Sequence, residues 1–487
     1  MTRGALTSRS ITEQYLARIT ALNGQLHAVL EINPDALTIA DAMDAERRPG
    51  TVRGPLHGIP VLIKDNIATL DKMQTTAGSL ALVGARVGRD SFVAARLRLA
   101  GAVILGKTNL SEWANFRSSH STSGWSARGG QCRNPYALDR TTSGSSSGSG
   151  AAIAANLCAV AVGTETDGSI VDPASRCSLV GIKPTVGLVS RAGIIPIAHS
   201  QDTAGPMTRT VTDAAILLGA LTGEDPRDPA TAASRGHALT DYTKFLDQKT
   251  RGLAGARIGV PREHYFGYSP HADQLVNDAI EIMRAAGATI VDPAPIATAK
   301  EMDDPEFEVL LYEFKADLNA YLADLAPSTS ASIRTLADLM AFNDANRATE
   351  MPFFAQELFV KAQAKGPLTD SAYLEALAKC RRLSRTDGID ATMDKYQLDA
   401  LVAPTNGPPP PIDLVNGDCG SGGSSTPAAV AGYPSITVPC GYTFGLPTGI
   451  SFFGRAWSEG TLIRIAYGYE QLSMLRRPPH LLAAVEL

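Results

Sequence analysis

The sequence predicts an α/β fold in which helices cover a largely buried β-sheet. Short apolar runs with strand character alternate with amphipathic helical segments along most of the 487 residues. Such runs are typical of strands that are buried on both faces of a sheet. The content of 44% hydrophobic and 19% charged residues is ordinary for a globular protein, and the length suits one large domain or two or three ordinary ones.

The predicted elements follow one another in a regular order. The first helix covers residues 11–22, with an apolar face and with Ser10 as a candidate N-cap. An apolar strand at 61–63 places Lys64 at its end, and a helix at 91–99 precedes a buried strand at 102–105. The alternation continues with a helix at 272–286 and with strands at 258–260, 289–291, 401–403 and 435–438.

A long segment from about residue 303 to 395 has helical patterning and no clear strand. We interpret the chain as a single domain, 1–487, with a core of about 50–300 and 396–487 and a helical insertion near the active site at about 303–395. Four aromatic residues of the insertion are candidates for lining a substrate pocket, although most such residues are expected in the core: Phe342, Phe353, Phe354 and Phe359. The Pro- and Gly-rich stretch 407–425 is predicted to be a surface loop.

Two short clusters of hydroxyl residues and glycines stand out at 145–150 (SSSGSG) and 164–169 (TETDGS). A flexible linker is one explanation for such composition. Here, however, the first cluster leads directly into an Ala-rich helix-forming segment, and a strand-like apolar run follows at 159–162. We therefore interpret both clusters as places where the backbone approaches a ligand closely and presents N–H groups to it.

The clusters belong to an ordered series of motifs. The series comprises GIPVLIKDNI (58–67), GKTNLSEWA (106–114), SGSSSGSGAA (143–152), GTETDGSI (163–170), GIKPT (181–185), DALVAPT (399–405), AGYP (431–434) and LPTG (446–449). In this order the motifs resemble the amidase signature family of serine hydrolases, and nearly the whole chain is covered. Within that family the chain is most similar to bacterial peptide amidases, through stretches such as SEWANFR (111–117) and SQDTAGPM (200–207).

The resemblance implies a central mixed β-sheet sandwiched between helices, and hydrolysis of amide C–N bonds by a Ser–cis-Ser–Lys triad without a cofactor. By matching residues, Ser169 is the expected nucleophile, Ser145 the relay serine after a cis Gly144–Ser145 bond, and Lys64 the base. The expected substrate is a C-terminal peptide amide. The expected oxyanion hole consists of the backbone N–H groups of Thr166, Asp167, Gly168 and Ser169.

The proposed base requires an unusual environment. A free lysine has a pKa of about 10.4, and lowering it to about 7–8 costs roughly 4 kcal/mol of differential solvation. Burial behind the apolar run 60–63 is the expected cause. Asp65 would oppose this shift if it lay close to Lys64, so its side chain is expected to turn to the other face. The Asp167 side chain is likewise expected to point away from the substrate carbonyl, and no role is evident for Asp172.

Alternative functions use the same motifs. An aryl-amide, anilide or carbamate hydrolase of the same family would share the triad, and so would a tRNA-dependent amidotransferase subunit, which needs partner subunits. The pattern Gly144-x-Ser146-x-Gly148 also fits the nucleophile elbow of α/β-hydrolases, with Ser146 as nucleophile. The polar segment 134–142 before it does not fit the buried strand that such an elbow follows.

Composition limits the remaining classes. The net charge of −5 without a basic block argues against nucleic-acid binding. The sequence contains no apolar run of about 20 residues, so no membrane span is predicted. The six cysteines form no C-x-x-C pair and no H-E-x-x-H occurs, so no metal site is expected. The start of the chain has no signal-peptide pattern, which favours the cytoplasm, but the native N-terminus, the compartment, cysteine pairing and the oligomeric state stay open.

Overall fold

The computed structural model describes residues 1, 5–246, 252–326, 333–420 and 422–485. Within these residues the strands are β1 (Val29–Ile32), β2 (Pro60–Lys64), β3 (Val103–Thr108), β4 (Trp125–Ser126), β5 (Gly130–Gln131), β6 (Val160–Glu165), β7 (Val180–Lys183), β8 (Thr203–Thr208), β9 (Arg257–Gly259), β10 (Thr289–Val291), β11 (Ala400–Pro404), β12 (Ser435–Thr443) and β13 (Leu446–Phe453).

Helices surround these strands. They are α1 (Ser8–Leu26), α2 (Ala36–Arg47), α3 (Phe92–Leu99), α4 (Ser147–Ala154), α5 (Val171–Arg176), α6 (Val211–Leu221), α7 (Arg262–Tyr265), α8 (Pro270–Ala285), α9 (Asp303–Ala323), α10 (Leu336–Ala345), α11 (Arg347–Glu350), α12 (Glu357–Gln363), α13 (Ser371–Arg381), α14 (Asp390–Tyr396), α15 (Thr426–Ala431) and α16 (Glu459–Ser473). None of the described helices is both long enough and apolar enough to cross a membrane.

Eleven of the described strands form one mixed sheet in the order β1-β3-β2-β6-β8-β7-β12-β13-β11-β9-β10. Strand β2 runs parallel to β3 and β6, and β9 runs parallel to β10 and β11. The other neighbours are antiparallel. The predicted α/β class and the central mixed sheet are therefore confirmed.

Two layers of helices bury the two faces of the sheet. Helices α1, α2, α4 and α5 contribute to one hydrophobic core, and α3, α6, α8 and α16 contribute to the other. Within β2, Val61 and Ile63 enter the second core and Leu62 the first, as the alternation of side chains along a strand requires. Lys64 has the same parity as Leu62 and so lies on the α4 side of the sheet.

The first helix differs from its predicted start. It begins at Ser8, and the N-cap is Thr7 rather than Ser10. Ser10 occupies the third helical position, where its hydroxyl accepts from the Thr7 N–H while Thr7 Oγ1 accepts from the Ser10 N–H. The two residues form a reciprocal capping box. A hydroxyl residue is favourable both at the N-cap and at the third helical position, so the sequence alone did not distinguish the two roles of Ser10.

The described residues from α9 to α14 form helices joined by loops, without a named strand, and the division of this segment from the core as an insertion stays a prediction. Apolar residues of α9, α10 and α12 form a third core with residues from the stretches 77–116 and 195–198. Phe359 is completely buried in this core and Phe342 packs against it. Phe354 is also buried, whereas Phe353 is 43% exposed. The six cysteines are free thiols, and Cys419 is the exposed one.

Candidate active site

Lys64 is the last residue of β2, and its side chain is completely buried. Its Nζ donates to Ser145 Oγ at 2.7 Å, to Thr164 Oγ1 at 2.9 Å and to the Thr164 carbonyl at 3.2 Å. These three acceptors match the three donors of an ammonium group. The contact joins the end of a central strand to the Ser/Gly-rich segment that leads into α4.

The electrostatic environment of Lys64 favours its neutral form. Burial lowers the pKa of Lys64 to about 7, although the charges of Asp202 and Glu165 act in the opposite direction. Asp65 is turned away, as expected: its Oδ2 accepts from the Gly78 N–H at 3.2 Å, and its Oδ1 is ion-paired with Arg128 at 3.2 Å. Near neutral pH a large fraction of Lys64 is therefore able to accept a proton.

Ser145 lies at the start of the first Ser/Gly cluster, after a cis Gly144–Ser145 peptide bond. Its side chain is buried, and its carbonyl accepts from the Ser111 N–H at 3.1 Å. A Cβ at position 144 would lie 2.2 Å from Ser111 Oγ, so any larger residue before this serine would have to displace the Ser111 side chain. The hydroxyl of Ser145 is thereby held against Lys64.

Ser169 occupies the turn between β6 and α5. Its carbonyl accepts from the Ser146 N–H at 3.2 Å, which connects the two Ser/Gly clusters directly. Among the described residues no side chain or backbone group hydrogen-bonds the Ser169 hydroxyl. That hydroxyl is consequently available for a substrate or for proton exchange with a neighbouring group.

The turn that carries Ser169 presents backbone donors. Within the described part of the chain, the four N–H groups predicted for the oxyanion hole, those of Thr166, Asp167, Gly168 and Ser169, have no hydrogen-bond acceptor. Gly168 has a φ of 79°, and a Cβ there would lie 2.9 Å from Asp172 Oδ2. A side chain at position 168 would therefore be strained both by its backbone conformation and by contact with Asp172.

Two acidic side chains lie against this turn. Asp167 reaches α15, where Thr426 Oγ1 donates to its Oδ2 at 2.8 Å. Burial raises the pKa of Asp172 to about 8, partly offset by the neighbouring Arg176. Asp172, to which the sequence motifs assign no role, thus lies beneath Gly168 in an environment that favours its protonated form.

Ser146 has a different environment from Ser145 and Ser169. It is completely buried, its Oγ donates to the Thr164 carbonyl at 3.0 Å, and it accepts from the Thr164 N–H at 3.2 Å. The hydroxyl is thus occupied by strand β6. This arrangement gives no support to Ser146 as an exposed nucleophile on an elbow.

A family model described as Amidase matches residues 10–463. The chain belongs to the amidase family. A structure of native peptide amidase from Stenotrophomonas maltophilia is 53% identical, with a TM-score of 0.93 over 99% of this chain and 96% of that chain. A probable amidase of Arabidopsis thaliana is 46% identical over 98% of this chain and 89% of its own length. The amidase is also 35% identical to a glutamyl-tRNA(Gln) amidotransferase subunit of Chloroflexus aurantiacus, over 96% of this chain and 94% of that relative.

The family and the peptide amidase neighbours identify the chain as a hydrolase of amide C–N bonds. They also account for the order in which the sequence motifs occur, because the match extends over nearly the full chain. The observed architecture, an 11-stranded mixed sheet between helices, is the one that these relatives share.

The amidase site also contains polar residues that sequence reasoning did not assign. Thr164 accepts from Lys64 and from Asn66 Nδ2, the latter at 3.0 Å, and Asp202 accepts from Thr166 Oγ1 at 2.6 Å. Thr164 lies in the motif 163–170, and Asn66 lies two positions after Lys64 in the motif 58–67. Both residues could therefore have been found as candidates from the motifs alone. A small cavity beside Ser145 is lined by these residues and by Ala114, and none of the four candidate phenylalanines lines it.

One group of potential metal ligands occurs among the described residues: His199, Glu313 and Asp317. Each of these side chains already has protein partners. Glu313 accepts from the Tyr373 hydroxyl at 2.8 Å and from the Ser200 N–H at 2.9 Å, and the His199 ring lies 2.8 Å from Asp317. The group therefore functions as a hydrogen-bonded connection between α9 and the loop before β8.

Proposed function

We propose that this amidase removes the C-terminal amide group of amidated peptides, using Ser169 as nucleophile, Ser145 as relay and Lys64 as base. The observation that carries the proposal is the buried contact of 2.7 Å between Lys64 Nζ and Ser145 Oγ. The similarity to peptide amidase, at 53% identity over 99% of this chain, supports the substrate class.

The first half of the proposed reaction forms an acyl-enzyme. Neutral Lys64 takes the hydroxyl proton of Ser145, and Ser145 takes that of Ser169 as its oxygen attacks the amide carbon. The backbone N–H groups of the turn from Thr166 to Ser169 stabilise the oxyanion, and one such donor contributes about 10²–10³ in rate. When the C–N bond breaks, the proton returns through Ser145 to the leaving nitrogen, which departs as ammonia.

The second half hydrolyses the acyl-enzyme. A water molecule gives one proton to Ser145 and onward to Lys64 as its oxygen attacks the acyl carbon. Collapse of the tetrahedral intermediate breaks the bond to Ser169 Oγ, which takes a proton back from Ser145. The products are a peptide carboxylate and ammonium, and the triad returns to its initial protonation state.

A comparison of substrate classes tests this proposal. We expect kcat/KM for a peptide amide to exceed that for a matched anilide and a matched carbamate. A preference for either of the latter would contradict the peptide substrate while leaving the triad intact. Glutamine-dependent amidation of a charged tRNA by this chain with partner subunits would instead support the amidotransferase alternative, which the 35% identity to such a protein motivates.

A further inference from the structure

A pair of acidic side chains meets beside the turn that carries Ser169. Glu306, in the first turn of α9, lies beside the side chain of Asp167, and that acidic neighbour raises the pKa of Glu306. Gln201 Nε2 donates to Glu306 Oε1 at 2.7 Å, and Thr426 Oγ1 donates to Asp167 Oδ2 at 2.8 Å. Two carboxyl groups therefore lie side by side, and each also accepts a hydrogen bond from a neutral donor.

A hydrogen bond between these two groups requires a proton. Ionised carboxylates only accept hydrogen bonds, so two of them can be joined only if one is protonated. The other oxygen of Asp167, Oδ1, receives no hydrogen bond from any N–H or O–H group of the described residues. This oxygen is itself buried and Glu306 is 7% exposed, so an unpaired acceptor here is costly. A single proton shared between the two groups satisfies both.

The surrounding charges favour retention of that proton. Burial and the neighbouring Asp167 raise the pKa of Glu306 well above its ordinary value, and burial raises that of Asp167. Lys183 is a cation that faces Asp167 and acts in the opposite direction. The other titratable groups that face the pair are acidic side chains, a phenol and a thiol: Glu165, Asp172, Tyr265, Asp303 and Cys380.

We propose that Glu306 is a positioning residue of the amidase, and that its proton-sharing pair with Asp167 holds the turn 166–169 in place between α9 and α15. The proposal rests on the proposed function, because it assigns the N–H groups of this turn to the oxyanion. Asp167 contributes its N–H to the substrate and its side chain to the pair. Glu306 acts through Asp167 and does not touch the substrate.

The pair also limits the charge near the reaction. With one shared proton it carries one negative charge, and loss of that proton adds a second beside a carbonyl oxygen that itself becomes negative during attack. The two carboxylates would then repel each other and move the turn. We expect kcat to decrease above the pKa of the pair, by about tenfold per pH unit for a single ionisation.

The variant Glu306→Gln tests this role in the intact protein. A glutamine at 306 donates to Asp167 and accepts from Gln201 without a titratable proton. We expect the alkaline decrease in kcat to disappear or to move by more than about one pH unit. The matched control is Glu308→Gln, two residues along the same helix, where the native carboxylate is paired with Lys365 at 2.6 Å and does not face the turn. An alkaline limb in Glu306→Gln at the wild-type pH would overturn the proposal, and so would a wild-type profile without such a limb.

Infrared difference spectroscopy gives a readout that needs no turnover. The carbonyl stretch of a protonated carboxyl group is distinct from that of a carboxylate, and we expect one such band of the wild type at neutral pH to be lost in Glu306→Gln and in Asp167→Asn. It should persist in Glu308→Gln. Unchanged bands in both pair variants would show that no proton is shared. Because the spectrum does not depend on activity, this outcome is distinguishable from failure of the catalytic assignment.

Discussion

Lys64 Nζ and Ser145 Oγ lie 2.7 Å apart, and both side chains are shielded from solvent. An ammonium group in this position is costly because its charge is buried, and burial lowers the pKa of Lys64 to about 7. The same contact gives the neutral amine a hydroxyl from which to take a proton. A structural feature that destabilises one protonation state thus prepares the other for catalysis.

The nucleophile can be tested against its buried neighbour. We expect Ser169→Ala to abolish turnover with an unchanged melting temperature, because the Ser169 hydroxyl has no hydrogen-bond partner among the described residues. Ser146→Ala should retain most activity but lose about 1 kcal/mol of stability, since it removes a buried hydrogen bond to the Thr164 carbonyl at 3.0 Å. Substantial hydrolysis by Ser169→Ala, or its loss only in Ser146→Ala, would exclude the assignment.

Thr164 is expected to adjust the pKa of Lys64. Its Oγ1 accepts from Nζ at 2.9 Å and so stabilises the ammonium form. In Thr164→Val this acceptor is lost, the pKa of Lys64 falls further, and the acid limb of kcat/KM should move to lower pH by several tenths of a unit or more. Thr164→Ser keeps the hydroxyl and is the control. A shift to higher pH in the valine variant would contradict the sign of this interaction.

Alanine substitutions at two glycines with nearly the same backbone conformation distinguish the effect of backbone strain on stability from an effect on the active site. Gly168 has a φ of 79° and lies close to Asp172, whereas Gly236 has a φ of 80° and open space around its Cβ position. Alanine at position 236 should reduce the free energy of unfolding by about 1 kcal/mol, and alanine at position 168 should reduce it by more, because its Cβ also meets Asp172. Only Gly168→Ala should also lower kcat, by about 10²-fold if one oxyanion donor is displaced. Equal kcat values in the two variants would argue against this turn as the oxyanion site.

Much of the architecture was predictable because strand and helix periodicities are local. Strand β10 has the predicted bounds, and α8 runs from Pro270 to Ala285 against a prediction of 272–286. Strand β8 was missed: its sequence, TAGPMT, contains a glycine and a proline, which are rare in strands, and only its pairing with β6 and β7 makes it extended. Tertiary contacts of this kind leave no periodic pattern in the sequence.

The active site likewise has residues that local sequence features reveal and residues that only tertiary contacts bring to it. Composition singles out the hydroxyl-rich clusters, and position at the end of β2 singles out the lysine. The family resemblance supplies their expected roles. Glu306 lies on a helix with many acidic residues and has no local feature that separates it from Glu308, two positions away. Its proximity to Asp167 depends on where α9 lies relative to the turn 166–169, which the sequence alone does not reveal.

The measurement that tests the central claim most directly is the pH dependence of kcat/KM in the wild type and in Lys64→Ala. If neutral Lys64 is the base, wild-type activity should fall about tenfold per unit below a pKa of about 7. The alanine variant should be slower by about 10²–10⁴-fold and should lack this acid limb. A variant that keeps the wild-type acid limb would contradict the account, because another group would then be supplying the base.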